Sequence, residues 1–159
     1  MSELSGLVDL LTRVHGGDPW HGPSLLDTLK GVTAKQAAAR AVPGAHSIWE
    51  LVLHVAAWRR EVIRRIGGAT AGEPLEGDWP PVPEPTEDNW RVALDELQRS
   101  HEDILIAVRS MPRSQLDEPV RDERNAALGT GLSFYTTLHG LVHHDVYHTA
   151  QMAVLKKAL

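Results

Sequence analysis

Between residues 87 and 111 the apolar positions Trp90, Leu94, Leu97, Ile104 and Val108 recur at intervals of three and four, and His101 fills the gap in the same stripe. This 4-3-4-3-4 spacing lines one face of an α-helix and is the seam through which a helix packs into a bundle. A strand would need a period of two. Nowhere do Val, Ile, Thr and aromatic residues alternate with polar ones over a sustained run. The chain is therefore expected to be all-α.

The remaining elements follow from caps and breakers. Residues 4–14 form a short amphipathic segment, broken by Gly16-Gly17-Asp18-Pro19. A short helix fits residues 23–31 after Pro23. Thr33-Ala34-Lys35-Gln36 is a capping box that opens another, ended by Pro43-Gly44. Ser47-Ile48-Trp49-Glu50 is a second capping box, opening a long helix over 47–66 that stops at Gly67-Gly68. Residues 67–85 hold five prolines and four glycines and read as a loop. Thr86 is placed to cap a helix over 87–111, which Met111-Pro112 ends. After a loop over 112–132, Ser133 caps a last helix over 134–157. Three long helices and a broken N-terminal helical region imply a four-helix bundle with long connecting loops, one domain spanning 1–159.

Composition narrows the function classes. With no cysteine, the chain has no disulfide and no Cys-type zinc site, and a cytoplasmic setting is expected. The segment MSELSGLVDLL lacks a basic region followed by an apolar one, so no secretory leader is expected. No apolar run is long enough for a membrane span. A net charge of −5 lacks the basic footprint of a nucleic-acid binder. The one basic cluster, Arg59-Arg60 with Arg64-Arg65, reads as the outer face of a helix.

Nine histidines remain to be explained, three of them within His143–His148. His144 and His148, four apart, share one helical face one turn apart. They lie at the edge of the inward face marked by Phe134, Leu138, Leu141, Val142 and Met152, whereas His143 falls on the opposite side. Two imidazoles so placed can hold one metal ion, and a third ligand from another inward face would complete a catalytic-type site. His54, amid apolar neighbours in the 47–66 helix, is the first candidate. His101, on the seam of the 87–111 helix, is its competitor. Burial favours neutral imidazole, the ligand form. The pair His139 and His143 faces outward. His15, His21 and His46 lie near breaks or caps, and His21 is expected to be exposed.

Around these, Glu50 sits one turn before His54, but its capping-box role with Ser47 is preferred over a metal or base role. Trp58 follows His54 by one turn. Asp145 points inward beside His148, and Gln151 stands within a turn beyond it. Either could orient a ligand imidazole. No phosphate-cradling glycine loop and no nucleophile elbow is present.

The segments Ser47–Trp58 (SIWELVLHVAAW) and His144–Gln151 (HDVYHTAQ) resemble the two signature segments of the DinB-like family, part of the DinB/YfiT-like putative metalloenzyme superfamily. The likeness also takes in Trp20–Leu25 and the Pro81–Trp90 region. One departure is Ala150, where relatives often carry Gly. The resemblance implies a four-helix bundle holding one divalent metal, zinc or nickel, through His54, His144 and His148. It also implies homodimers, a small-molecule substrate and, in characterised relatives, S-transfer or isomerisation with low-molecular-weight thiols such as bacillithiol or mycothiol, or hydrolysis.

Three function classes follow. In a metal-dependent enzyme, a three-histidine site leaves positions open for a water or thiol, whose pKa the ion lowers. Among such enzymes a thiol S-transferase is favoured slightly over a hydrolase, because no compelling general base is in view. A non-catalytic metal-binding stress-response protein, with the ion structural or a sensor, would be favoured by a fourth protein ligand such as His101 or Glu50. A helical interaction module would hold no metal.

Overall fold

A computed structural model describes residues 2–122 and 132–159. The helices are α1 (Glu3–Gly16), α2 (Leu25–Leu29), α3 (Ala34–Ala38), α4 (Ile48–Ile66), α5 (Glu87–Ser110) and α6 (Phe134–Lys157), with a 3₁₀ turn over Arg113–Asp117. No strand is present among the described residues, only an isolated antiparallel bridge between Pro119 and Ser133.

Each helix starts where a hydroxyl can cap it. Ser2, Ser24, Thr33, Ser47, Thr86 and Ser133 each accept a hydrogen bond from a backbone N–H in the first turn of the following helix. At Thr33 and Ser47 the reciprocal bond from the cap N–H to Gln36 and Glu50 completes the capping boxes read in the sequence. Helix α4 ends at glycine, and Gly68 adopts φ +91°, which a side chain would strain.

The four long helices close a ring. Helix α1 packs on α5 and α6, and α4 packs on the same two, so α1 and α4 face each other across the bundle. The short α2 docks on α6 and α1, and α3 on α4 and α5. On the 87–111 stripe, Trp90, Leu97, His101, Ile104 and Val108 are buried. Leu94 is only half-buried, and Ala93 turns inward beside it.

The core divides into two apolar clusters stacked along the bundle. One takes Leu51, Val52, Val55 and Ala56 of α4, Trp90 to Leu97 of α5, and Met152 and Leu155 of α6. The other takes α1, Val62 of α4, Ile104 to Val108 of α5 and Phe134 to Val142 of α6. Between them each helix carries buried polar residues: Arg59 on α4, Ser100 and His101 on α5, Asp145, His148 and Thr149 on α6, and His15 on α1. A polar layer thus crosses the middle of the bundle, with His54 at its edge.

The loops are pinned rather than free-standing. Gly72 N–H donates to the buried carboxylate of Glu61, and Arg65 donates to the Gly72 carbonyl. In the second loop the N–H of Val120 donates to the Leu132 carbonyl and Gln115 reaches the Ile66 carbonyl. Part of the loop over 112–132 lies outside the described residues. None of its described residues lines the cavity beside the histidines.

Candidate metal centre

His54 comes from the middle of α4, and His144 and His148 from the middle of α6. Their ligand nitrogens all lie within 4.8 Å of one another, and His54 and His148 are buried. His54 Nε2 and His144 Nε2 are 3.0 Å apart. Two nitrogens on one ion, each bonded at about 2.0–2.1 Å, stand at roughly such a separation.

The hydrogen bonds of the rings fix which nitrogen is free. His54 Nδ1–H donates to the Asp78 carbonyl at 2.6 Å, and a carbonyl can only accept. His148 Nδ1–H donates to Gln151 Oε1, also at 2.6 Å. In neutral rings both Nε2 atoms therefore carry lone pairs, and that of His54 faces His144 Nε2. Burial lowers the His54 pKa, and it lowers His148 to about 4 despite the opposing bond to Gln151. Both are thus in the ligand form at neutral pH. His144 Nδ1 is buried without a partner, and so is Asp145 Oδ1, 3.8 Å away. Two neutral imidazoles with tautomers set from outside, joined by the ring of His144, form the donor set of a divalent ion, and these residues fit one.

Around this group the structure separates the other sequence candidates. Gln151 holds His148. Trp58 lies edge-on to His54, and its indole N–H donates to Asp78 Oδ1 at 2.8 Å. Glu50 is turned away. It accepts from Ser47 N–H and from Arg40, and although burial pushes its carboxyl up, these partners hold it below the usual range. His101 is not in the group. It stacks on His15 with ring centroids 3.9 Å apart, and burial pushes it to about 3. His21 and His143 are exposed as expected.

Asp145 is buried as expected, but its firm partner is Arg59, which donates through Nε at 3.0 Å and Nη2 at 2.7 Å to Oδ2. This corrects the reading of Arg59 as part of an outer basic face. Its exposure is 0%, whereas Arg60 and Arg64 remain partly exposed. A buried guanidinium is tolerable only when paired, and the partner is 86 positions away. Burial raises the Asp145 carboxyl, but Arg59, with His144 adding to it, holds the group below the usual carboxylate range. Arg59 also donates to the Leu97 carbonyl and approaches His15 Nδ1, and His15 bonds Gln98.

Two residues of the 67–85 loop complete the surroundings, and sequence reasoning missed both. Asp78 anchors His54 and Trp58. Trp79 is sandwiched between His54 and His46, with centroid distances of 4.0 and 3.4 Å and near-parallel planes. The only sequence sign of such a role was an Asp-Trp pair inside a Pro/Gly-rich loop.

Fold and site together define a helical-bundle protein equipped to hold a divalent ion. The model of the DinB superfamily matches residues 20–152, and the chain belongs to that superfamily. The match takes in all three histidines and leaves α1, with His15, outside. No curated protein and no solved structure matches the chain.

Proposed function

We propose that this protein is a metal-dependent enzyme that holds one divalent ion, zinc or nickel, through His54, His144 and His148. The supporting observation is that the group has three members and no fourth protein ligand among the described residues. The two fourth-ligand candidates are engaged elsewhere, Glu50 in the α4 cap and His101 against His15. A structural zinc site has four protein ligands; a catalytic one has three and an open position. An ion held here would supply Lewis acidity, making a water or a thiol nucleophilic at neutral pH.

The protein's own residues orient and shield. Asp78 and Gln151 hold two of the rings, and Trp79 and Trp58 cover them. None of the nearby carboxylates stands free as a general base. Glu50 is capped, Asp145 is paired with Arg59, and Asp78 accepts from Trp58. This favours S-transfer from a low-molecular-weight thiol over hydrolysis, because an activated thiol needs less help from a protein base. Homodimerisation is proposed on the support of Leu75 and Ile106, both large, apolar and exposed on one cleft. Light scattering of the wild type and Ile106→Asp tests it, and a monomeric wild type overturns it.

The test of function is metal content by mass spectrometry, for wild type and His148→Ala, followed by cobalt substitution and addition of 2-mercaptoethanol. About one ion per chain, lost in the variant, is expected, together with a new near-ultraviolet sulfur-to-cobalt band. Absence of metal uptake refutes the metal reading. A cobalt spectrum indifferent to thiol refutes the S-transfer reading and leaves hydrolysis or plain metal binding.

A further inference from the structure

A cavity of about 650 Å³ opens directly beside the histidines. Its size lies in the range of small-molecule sites, roughly 300–1,000 Å³. His148 and Gln151 form part of its wall, and so does Trp79, the ring stacked on His54. The cavity therefore adjoins the candidate metal centre at His148.

The chemistry of its wall is one-sided. Its lining is mainly apolar, with Val42, Leu51, Val154 and Leu155 beside the rings of Trp79 and Tyr147, and among the described residues no Lys, Arg, Asp or Glu lines it. Two other clefts of the molecule differ in this respect. One is lined by Arg60, Glu61, Arg64, Glu76 and Asp103, the other by Asp27, Lys30, Glu87 and Arg91. Few polar atoms face the apolar cavity. Gln151 Oε1 is taken by His148, and His46 lies flat on Trp79 with its Nδ1, 3.7 Å from Glu50, making no hydrogen bond. Glu50, the carboxylate beside His46, is held by Arg40 and the Ser47 N–H. An anionic or sugar-like group placed here would lose more hydration than the few polar atoms of His46, Tyr147 and Gln151 could replace. An apolar group would gain by leaving water. Trp79 and Tyr147 add aromatic surface suited to a flat ring.

We propose that this cavity binds the uncharged, apolar body of the substrate, an aromatic ring or branched alkyl group, and so presents its reacting end to the three histidines. A charged low-molecular-weight thiol is not the occupant of this cavity. The cavity takes the second, apolar reactant. This inference rests on the reading of His54, His144 and His148 as the reacting centre, and the test separates the two.

The probes are hydroxamates, which share one metal-binding head, titrated into cobalt-loaded protein and followed by the visible spectrum. Benzohydroxamate is expected to bind at least about tenfold tighter than acetohydroxamate, as burial of a phenyl ring requires. A carboxylate at the ring's para position should abolish the advantage. Ala150→Trp fills the cavity and Val154→Asp charges its wall. Both residues are solvent-exposed on α6, so both variants should fold and keep their metal. Each should erase the preference for the ring while leaving acetohydroxamate binding unchanged. Equal binding of the two hydroxamates, a preference that survives in both variants, or undiminished binding of the para-carboxylate overturns the proposal. If the protein takes up no metal, the reading of the centre has failed. The cavity is then tested alone with the neutral fluorophore N-phenyl-1-naphthylamine. Enhancement lost in both variants supports the apolar ligand class, and no enhancement in wild type overturns it.

Discussion

Two histidines of the centre, His54 and His148, have distinct supports, and each support can be removed separately. His148 depends on Gln151, whose Oε1 accepts the Nδ1 proton and leaves Nε2 free. Gln151→Leu keeps the side-chain volume roughly constant and removes the acceptor. Such supporting contacts are worth about 10–100-fold in metal affinity, and competition against a zinc-binding dye should show a loss of that order with unchanged helix content. An unchanged affinity would mean that the ring is held by packing alone. Arg59 and Asp145 behave differently, since both are charged and fully enclosed. Asp145→Leu strands the guanidinium and should cost about 3–5 kcal/mol in urea unfolding. The double variant Arg59→Met, Asp145→Leu should recover much of that, because neither charge is then buried. A double variant as unstable as the single one would show that the pair contributes more than mutual neutralisation. The inward histidines of α6 could be separated from His143 in the sequence because the hundred-degree step per residue divides the faces. Arg59 could not, because arginine is ordinarily exposed. Its burial depends on a carboxylate on another helix that no local pattern announces.

The long helices were readable because caps and breakers are local chemistry. Ser47, Thr86 and Ser133 each cap the helix that the sequence assigns to them. The connecting loop over 67–85 was readable only as a loop. Its conformation is set by long-range bonds, from Gly72 to Glu61 and from His54 and Trp58 to Asp78. That loop nonetheless supplies the cover of the centre. Trp79→Ala removes the ring clamped between His46 and His54. The expected result is an intact bundle by circular dichroism, with metal affinity reduced about tenfold, the lower end of what supporting contacts contribute. Ser47→Ala belongs to the same scale but acts on the helix. It should lower stability by about 1 kcal/mol, without altering metal content, because Glu50 retains Arg40 as a partner.

At the scale of the whole molecule, a polar layer divides two apolar clusters, and its histidines make stability depend on pH. Burial is the first cause in both. His15 is pushed to about 4, with Arg59 adding to the effect, and His101 to about 3, with His15 and Arg59 adding. In the unfolded chain both return to about 6.5. Between roughly pH 6.5 and 4 the unfolded state therefore binds protons that the folded state does not. Stability is then fully present above 6.5 and falls as the pH drops through that window. His148, at about 4 in the metal-free protein, adds to the same trend, and its protonation also opposes metal binding. The contributions can be separated in metal-free protein. His101→Leu removes one of the buried bases, so between pH 6 and 4.5 its unfolding free energy should depend on pH less steeply than wild type by about one proton, close to 1.4 kcal/mol per pH unit. His148→Ala should flatten the slope similarly but alone abolish metal uptake. Equal slopes in wild type and His101→Leu would mean that water reaches the His15–His101 pair and that the layer between the two apolar clusters is not dry. The layer's fourth wall comes from α1, outside the family match, so this pH dependence belongs to the assembled bundle and not to the matched segment alone.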